Sequence, residues 1–116
     1  MNRLGVKIKD VQFNSPIIAA SGTFGYGVEC ANFLNLEKIG CIITKSITFE
    51  SRKGNPSPRI HEIKSGMINS IGLANIGVND FCKNKLPVLS SLNTKVVISI
   101  AGSSEQDYIK VIDTIE

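Results

Sequence analysis

One lysine in this sequence stands where an α/β protein could use it to bind an anionic ligand. Lys45 and Ser46 directly follow an apolar run at residues 41–44. Ligands of α/β proteins bind at the carboxyl ends of parallel strands. An ammonium group that is close to buried at such a place is costly unless it has an anionic partner. The partner could be a ligand; the alternative is that Lys45 extends to solvent at the rim of the sheet.

A second candidate segment combines an amide side chain with a glycine-containing turn. It consists of Asn69, Ser70, Ile71, Gly72 and Leu73. Its backbone N–H groups could converge on a carboxylate or a planar imide. Ordinary loops also contain asparagine and glycine. However, a second Asn-x-Gly sequence follows at residues 75–77, and so many turn-forming residues favour a fixed backbone shape and a ligand-binding role.

A third segment of small residues, Ala20, Ser21 and Gly22, follows the apolar run at residues 17–20. Small side chains would let a flat ring system approach the backbone there, and Ser21 could donate a hydrogen bond. An ordinary turn between strand and helix is the simpler interpretation of this segment taken alone. The glycines at 22, 25 and 27 do not match the Gly-x-Gly-x-x-Gly fingerprint, so a Rossmann dinucleotide site is only weakly supported.

The elements that must position these segments alternate between strand and helix. Val6 to Phe13 alternate between apolar and polar residues, which predicts a short antiparallel hairpin. Continuous apolar residues predict strands buried on both faces. These strands are expected at residues 17–20, 41–44 and 95–102, and helices are expected around residues 31–36, 79–92 and 103–116. Asn79 is expected to cap the second helix and Pro87 to break or kink it.

This alternation predicts a parallel α/β fold with right-handed crossovers. The chain stops at Glu116, about where the third helix should still be running. Three parallel strands alone would leave apolar edges uncovered. We therefore expect the front part of a longer barrel; the alternative is a truncated product that needs a partner. The segment from Phe49 to Met67 is expected to be a long loop that acts as a lid or a binding loop.

Composition and the spacing of particular residues argue against several classes of function. The net charge is only +3, and the basic residues are scattered, which argues against nucleic-acid binding. The three cysteines form no Cys-x-x-Cys pair, so neither a disulfide framework nor a metal site is expected. No apolar run is long enough to span a bilayer, which favours a soluble, cytoplasmic protein. His61 has no Asp or Ser at a telling spacing and does not support a catalytic triad.

Four motifs, taken in order, closely resemble the soluble dihydroorotate dehydrogenases of pyrimidine biosynthesis. The motifs lie at residues 20–25, 44–48, 54–59 and 69–77. The Gly-Thr-Phe-Gly turn at residues 22–25 is similar to the catalytic subunit of the two-subunit, NAD-linked branch. The resemblance implies an FMN-dependent (β/α)₈ TIM barrel. Residues 1–116 would then be a partial FMN-binding domain, with an N-terminal hairpin and about three strand–helix units.

The resemblance also implies roles for individual residues. FMN would be contacted by the residues at the ends of the three strands, namely Ala20, Ser21, Gly22, Lys45, Ser46 and Ser99. Lys45 would also lie beside the orotate carboxylate, and residues 69–73 would hold the substrate. Ser99 stands where the NAD-linked branch usually has an asparagine, so this chain departs from the pattern there and resembles the fumarate-linked branch.

The implied reaction is the oxidation of dihydroorotate to orotate with hydride transfer to FMN. The resemblance places the proton-abstracting cysteine beyond Glu116, so none of Cys30, Cys41 and Cys82 is expected to be catalytic, and the isolated chain is expected to be inactive. The implied partner is an FAD and iron–sulfur subunit that uses NAD, around a homodimeric core in a heterotetramer. Two alternatives are another FMN barrel acting on pyrimidines or dihydrouridine, and a non-catalytic half-barrel that serves as an interaction module.

Overall fold

The structure, a computed structural model, describes residues 3–116. Within that part of the chain it contains short strands and helices. The strands are β1 (Val6–Ile8), β2 (Val11–Phe13), β3 (Ile18–Ala19), β4 (Cys41–Ile43), β5 (Ile60–Ile63), β6 (Gly66–Asn69) and β7 (Lys95–Val97). The α-helices are α1 (Val78–Asn84), α2 (Leu86–Ser90) and α3 (Glu105–Ile115).

The central sheet is parallel, with the strand order β3–β4–β7. Ile42 in β4 pairs with Ala19 on one side and Val96 on the other. Parallel pairing continues past the end of β4, where Ile47 bridges to Ile100. The strands therefore end at one edge of the sheet, and the segments that follow them meet there. β1 and β2 form a separate antiparallel pair.

The hydrophobic core lies between this sheet and the helices. Val78 and Phe81 project from α1 into it, where Phe81 stacks at a tilt on Tyr26 with 5.7 Å between ring centroids. The other buried members of this cluster are Ile47, Leu89 and Val111. Helices α1, α2 and α3 thus cover one face of the sheet, because each contributes an apolar stripe to the same cluster.

The opposite face of the sheet is open at β3 and β7, so the prediction of strands buried on both faces is wrong for these two strands, although it holds for Cys41 and Ile42 in β4. The side chains of Ile18 and Val97 are 46% and 48% exposed. They share a face with Ile43, since β3 and β7 pair in register with β4 and side chains alternate along each strand.

The predicted helix around residues 31–36 is not an α-helix. Two 3₁₀ turns, Val28–Cys30 and Leu36–Lys38, take its place. The side chain of Asn35 caps the second turn by accepting a hydrogen bond from the backbone N–H of Glu37. Phe33, which the prediction placed on the apolar face, is 85% exposed. Leu36 alone of the four apolar residues is buried, so no apolar stripe exists to hold a helix against the core.

The segment from Phe49 to Met67 is not one long loop as predicted, because it contains most of an antiparallel hairpin. Ile60 in β5 pairs with Asn69 in β6, and Ile63 pairs with Gly66 across a turn at residues 64–65. Every residue of the two strands is exposed. The hairpin therefore stands out from the sheet, and its second strand ends at the candidate binding residue Asn69.

The observed ends of the helices agree only partly with those predicted from the sequence. Asn79 lies inside α1 and is not its cap; Gly77 occupies the cap position. Pro87 does interrupt the helix, since α1 ends at Asn84 and α2 starts at Leu86. The start of α3 is confirmed: Ser104 and Asp107 form a reciprocal capping box.

Candidate functional site

A cleft of about 470 Å³ opens at the edge where β3 and β4 end, next to the β5–β6 hairpin. Its floor comes from the segments after the two strands and its wall from the hairpin and the turn that follows. The lining residues are Ser21, Gly22, Thr23, Lys45, Ser46, Ile60, Met67, Asn69, Ile71, Gly72 and Leu73. The volume lies in the range typical of small-molecule sites, about 300–1,000 Å³.

Most of the residues singled out in the sequence meet in this cleft although they come from three distant segments. Ser21 and Gly22 follow β3, Lys45 and Ser46 follow β4, and residues 69–73 are the last residue of β6 and the turn after it. Three predicted residues do not line it. Ala20 lies outside it, Ser70 faces a neighbouring groove beside the hairpin, and Ser99 lies behind Ser46.

The ammonium group of Lys45 is available for a ligand. The backbone N–H of Lys45 donates to the carbonyl of Gly25 at 2.8 Å, which fixes its position after β4. Its side chain is half-buried. Among residues 3–116, no group lies within hydrogen-bond or salt-bridge distance of its Nζ. A half-buried cation without a protein partner is electrostatically suited to an anion that enters the cleft.

Ser46 is held by Ser99 from the neighbouring strand. Their hydroxyl oxygens lie 2.8 Å apart. Ser99 is itself fixed, because its backbone N–H donates to Thr44 Oγ1 at 3.1 Å and its carbonyl accepts from the N–H of Ile47 at 2.9 Å. Ser99 is therefore a support for Ser46 in this chain rather than a lining residue.

The turn after β6 has an unusual backbone conformation, and contacts with the loop that contains Asn55 hold it in place. Gly72 and the non-glycine residue Leu73 both have positive φ angles, 75° and 56°. Asn55 holds the turn from behind: its N–H donates to the carbonyl of Ile71 at 3.0 Å and its Nδ2 to that of Ser70 at 2.8 Å. A Cβ on Gly72 would lie 2.7 Å from the backbone nitrogen of Asn55. The turn and the Asn55 loop are thus interlocked.

The sequence did not single out two apolar residues of the wall, Ile60 and Met67. Both lie on the face of the hairpin that also carries Asn69, because Ile60 pairs with Asn69 and side chains alternate along each strand. A hairpin signal was present in the short runs at residues 60–63 and 66–69 around Lys64 and Ser65. Together with Ile71, these residues give the cleft an apolar surface against which a flat ring can lie.

None of the three cysteines lines the cleft. Cys30, Cys41 and Cys82 are all free thiols. Cys41 is buried in β4, and desolvation by burial raises its pKa, so the neutral thiol is favoured over the nucleophilic or basic thiolate. Cys41 is buried and Cys82 packs against the core cluster, so these two are packing residues.

Behind the cleft, Tyr26 links the glycine-rich turn to the segment at residues 75–77. Its hydroxyl accepts a hydrogen bond from the N–H of Ile76 at 3.2 Å. Desolvation by burial raises the pKa of this phenol. Glu29 accepts from the backbone N–H of Tyr26 at 3.0 Å and pairs with Lys85 at 2.8 Å. Burial opposes ionisation of Glu29, but these donors lower its pKa overall.

Comparison with known proteins places the chain in one group. The sequence profile of a family described as dihydroorotate dehydrogenase matches residues 3–116. Two relatives are described as dihydroorotate dehydrogenase B (NAD(+)), catalytic subunit. The one from Geotalea uraniireducens is 46% identical over 105 residues, covering 90% of this chain and 34% of the relative. The one from Phocaeicola vulgatus is 43% identical over 115 residues, covering 99% and 38%.

A solved structure, that of DHODH from Eimeria tenella in complex with ferulenol, has the same fold. The TM-score is 0.73 at 22% identity, and the match covers 97% of this chain and 33% of that one. The chain thus fits part of a TIM-barrel-type fold, and it spans about a third of the length of the relatives it matches. In the part of the chain that the structure describes, no helix is long and apolar enough to cross a membrane.

Proposed function

This chain belongs to the dihydroorotate dehydrogenase family, and we propose that the protein containing it oxidises dihydroorotate to orotate in pyrimidine biosynthesis, with FMN as the hydride acceptor. The observation that carries the proposal is the cleft in which Lys45 and the turn at residues 69–73 face each other. A cation that has no partner among residues 3–116 and a turn with fixed N–H groups are what a planar, carboxylate-bearing pyrimidine requires.

The residues at the strand ends fit the flavin. Ala20, Ser21 and Gly22 are small and follow β3, so a flat ring can approach the backbone there. Ser46, held by Ser99, presents a hydroxyl at the end of β4. Lys45 lies between these groups and the substrate segment. When bound, FMN would supply the acceptor for a hydride; the residues present would bind and orient it.

Substrate binding is assigned to the other side of the cleft. The ammonium of Lys45 would neutralise the carboxylate of the substrate, while Asn69 and the turn from Ser70 to Leu73 would hold the pyrimidine ring. Ser70 would act from outside the cleft, because its N–H donates to the carbonyl of Arg59 at 2.9 Å. Ile60 and Met67 would exclude water from one side of the ring. Exclusion of water strengthens each of these electrostatic contacts.

The reaction also needs a base, which we assign to sequence beyond Glu116. Oxidation removes a proton from one ring carbon and a hydride from its neighbour, so the proton acceptor must lie beside the ring. Lys45 is the cationic group of the cleft and has the wrong charge for a base if it binds the carboxylate. The cysteines here lie outside the cleft. We therefore expect residues 1–116 alone to be inactive.

The remaining features of the proposal follow from the relatives. Their description as catalytic subunits supports a separate electron-transfer subunit for this protein, which we propose carries FAD and an iron–sulfur cluster and uses NAD. We further propose a complete (β/α)₈ barrel, a homodimeric core within a heterotetramer, and a cytoplasmic location. The open face of the β3–β4–β7 sheet supports the barrel, since further strands would cover Ile18 and Val97.

Anaerobic addition of dihydroorotate to the purified full-length protein tests the proposal. The flavin absorbance should bleach on addition, and orotate should be the product. Residues 1–116 expressed alone serve as the control and should not respond. Bound flavin that bleaches with dihydrouridine or another pyrimidine, but not with dihydroorotate, would refute the substrate. A full-length protein without flavin would favour the interaction module instead.

A further inference from the structure

The side chain of Asn75 connects the two halves of the cleft without lining it. It is 8% exposed. Its Oδ1 accepts from the N–H groups of Thr48 at 3.1 Å and Gly77 at 2.9 Å. Its Nδ2 donates to Thr48 Oγ1 at 2.9 Å and to the carbonyl of Leu73 at 2.9 Å. Both acceptor positions and both N–H donors of the amide are therefore used within the protein.

The partners of Asn75 belong to the two segments that border the cleft. Thr48 follows β4 three residues after Lys45, and Leu73 ends the turn that faces Lys45. The backbone of Asn75 adds a second connection, because it exchanges two hydrogen bonds of 2.9 Å with Arg52. One residue thus sets how far the end of β4 lies from the turn.

The connection through Asn75 matters because of the backbone conformation of Leu73. Its φ of 56° is a left-handed conformation that a non-glycine residue adopts only when its surroundings hold it there. The Nδ2 group of Asn75 holds the Leu73 carbonyl, and the orientation of that peptide is coupled to the backbone of Gly72 and Leu73 that borders the cleft. Release of the carbonyl would let the turn relax toward an ordinary conformation.

We infer that Asn75 is a positioning residue for substrate: it fixes the Gly72–Leu73 backbone relative to Lys45 and so sets the affinity for the pyrimidine, while FMN binding does not depend on it. The inference rests on the function proposed above. Asn75 has no free donor or acceptor with which to contact a ligand, so it acts through Leu73. Its side-chain partners are Thr48, Leu73 and Gly77, and neither Ser21 nor Ser46, on which the flavin assignment rests, is among them.

Asn75→Asp in the full-length, FMN-loaded protein tests the inference. The substitution is isosteric and keeps Oδ1 for the N–H groups of Thr48 and Gly77, but it places a carboxylate oxygen against the Leu73 carbonyl. The KM for dihydroorotate and the Kd of orotate, read from the flavin spectrum, should each rise about tenfold or more. The flavin content should equal that of wild type. Asn79→Ala, an exposed asparagine in α1, is the matched control and should change neither constant.

A second pair of variants decides the matter if Asn75→Asp does not fold. Thr48→Val removes one acceptor of the Asn75 amide and keeps the shape of the side chain, whereas Thr48→Ser keeps the hydroxyl. Thr48→Val should raise the KM for dihydroorotate and Thr48→Ser should restore it. A folded variant with lowered thermal stability but unchanged KM and orotate Kd would overturn the inference, because Asn75 would then be only structural. If neither dihydroorotate nor orotate changes the flavin spectrum of the wild-type protein, the proposed function is refuted, and the inference with it.

Discussion

The hydroxyl oxygens of Ser46 and Ser99 lie 2.8 Å apart, although 53 positions separate the two residues in the sequence. They meet because β4 and β7 are neighbours in the parallel sheet, and each serine follows its strand. Ser46 borders the cleft and Ser99 stands behind it. The Ser46 hydroxyl at the proposed flavin site is therefore connected directly to the segment that follows the third strand of the sheet.

Ser99→Ala should weaken FMN binding in the full-length protein. The change leaves Ser46 without its partner, and loss of one neutral hydrogen bond costs about 1 kcal/mol, or roughly fivefold in the Kd of FMN. Flavin fluorescence during titration of the apoprotein measures that constant. Ser90→Ala, at the exposed end of α2, is the control. An unchanged FMN Kd in Ser99→Ala would show that Ser46 does not depend on Ser99 for its role.

Gly72→Ala should disrupt the binding turn, whereas Gly66→Ala should be tolerated. An alanine at position 72 would have a left-handed backbone, which costs about 1–2 kcal/mol, and its Cβ would lie 2.7 Å from the nitrogen of Asn55. A Cβ on Gly66 would meet no atom within 4 Å. Thermal unfolding and the Kd of orotate measure the difference. Equal orotate affinity in the two variants would contradict the interlocked turn.

The site residues that follow β3 and β4 could be predicted because the sequence pattern that reveals them is local. β3 and β4 lie in continuous apolar runs, and the polar residue that follows such a run must lie at the carboxyl edge of a parallel sheet. Lys45 and Ser46 were found in this way, as was the segment at residues 20–22. The capping box of α3 was also predictable, since Ser104 and Asp107 are three residues apart.

The features that were not predicted from the sequence depend on tertiary contacts. Whether Phe33 and Leu34 belong to a helix depends on a surface for them to pack against, and in this structure both are exposed. The β5–β6 hairpin escaped notice because Gly54 and the two prolines after it are typical of a loop. Asn75 resembled an ordinary turn residue; two of its four hydrogen bonds are local, and the other two depend on Thr48, 27 positions away.

Tyr26→Phe should destabilise the full-length protein by about 1 kcal/mol, because the N–H of Ile76 loses its acceptor in a partly buried place. Tyr108→Phe is the matched control, since its ring is 40% exposed. Chemical denaturation at neutral pH measures both free energies of unfolding. Equal stability of the two variants would show that the Tyr26 hydroxyl contributes nothing.

The difference in stability between wild type and Tyr26→Phe should depend on pH. Burial raises the pKa of Tyr26 above its ordinary value of 10.0, so the folded state retains this proton more strongly than the unfolded state. The resulting stabilisation is fully present below pH 10 and is lost as the pH rises through the folded-state pKa. The stability advantage of wild type over Tyr26→Phe should therefore shrink above pH 10. An advantage that stays constant there would contradict the assigned cause.

Lys45→Met should abolish most substrate affinity without a loss of stability. Methionine keeps the apolar stem of the side chain and removes the charge. Because the Nζ of Lys45 has no partner among the described residues, its removal breaks no contact and relieves the desolvation cost of a half-buried cation. Loss of a charged hydrogen bond to a carboxylate costs about 1.5–3 kcal/mol, so the Kd of orotate should rise roughly 10- to 150-fold.

Lys83→Met, an exposed lysine of α1, is the control for the removal of a positive charge and should leave the Kd of orotate unchanged. Thermal unfolding and orotate titration of both variants separate two interpretations of Lys45. A lysine that only extends to solvent at the rim predicts that neither measurement changes. A lysine that binds the ligand predicts weaker orotate binding together with equal or higher stability, since an anion that is absent from the free protein cannot stabilise it. Lower stability with unchanged orotate binding would contradict both.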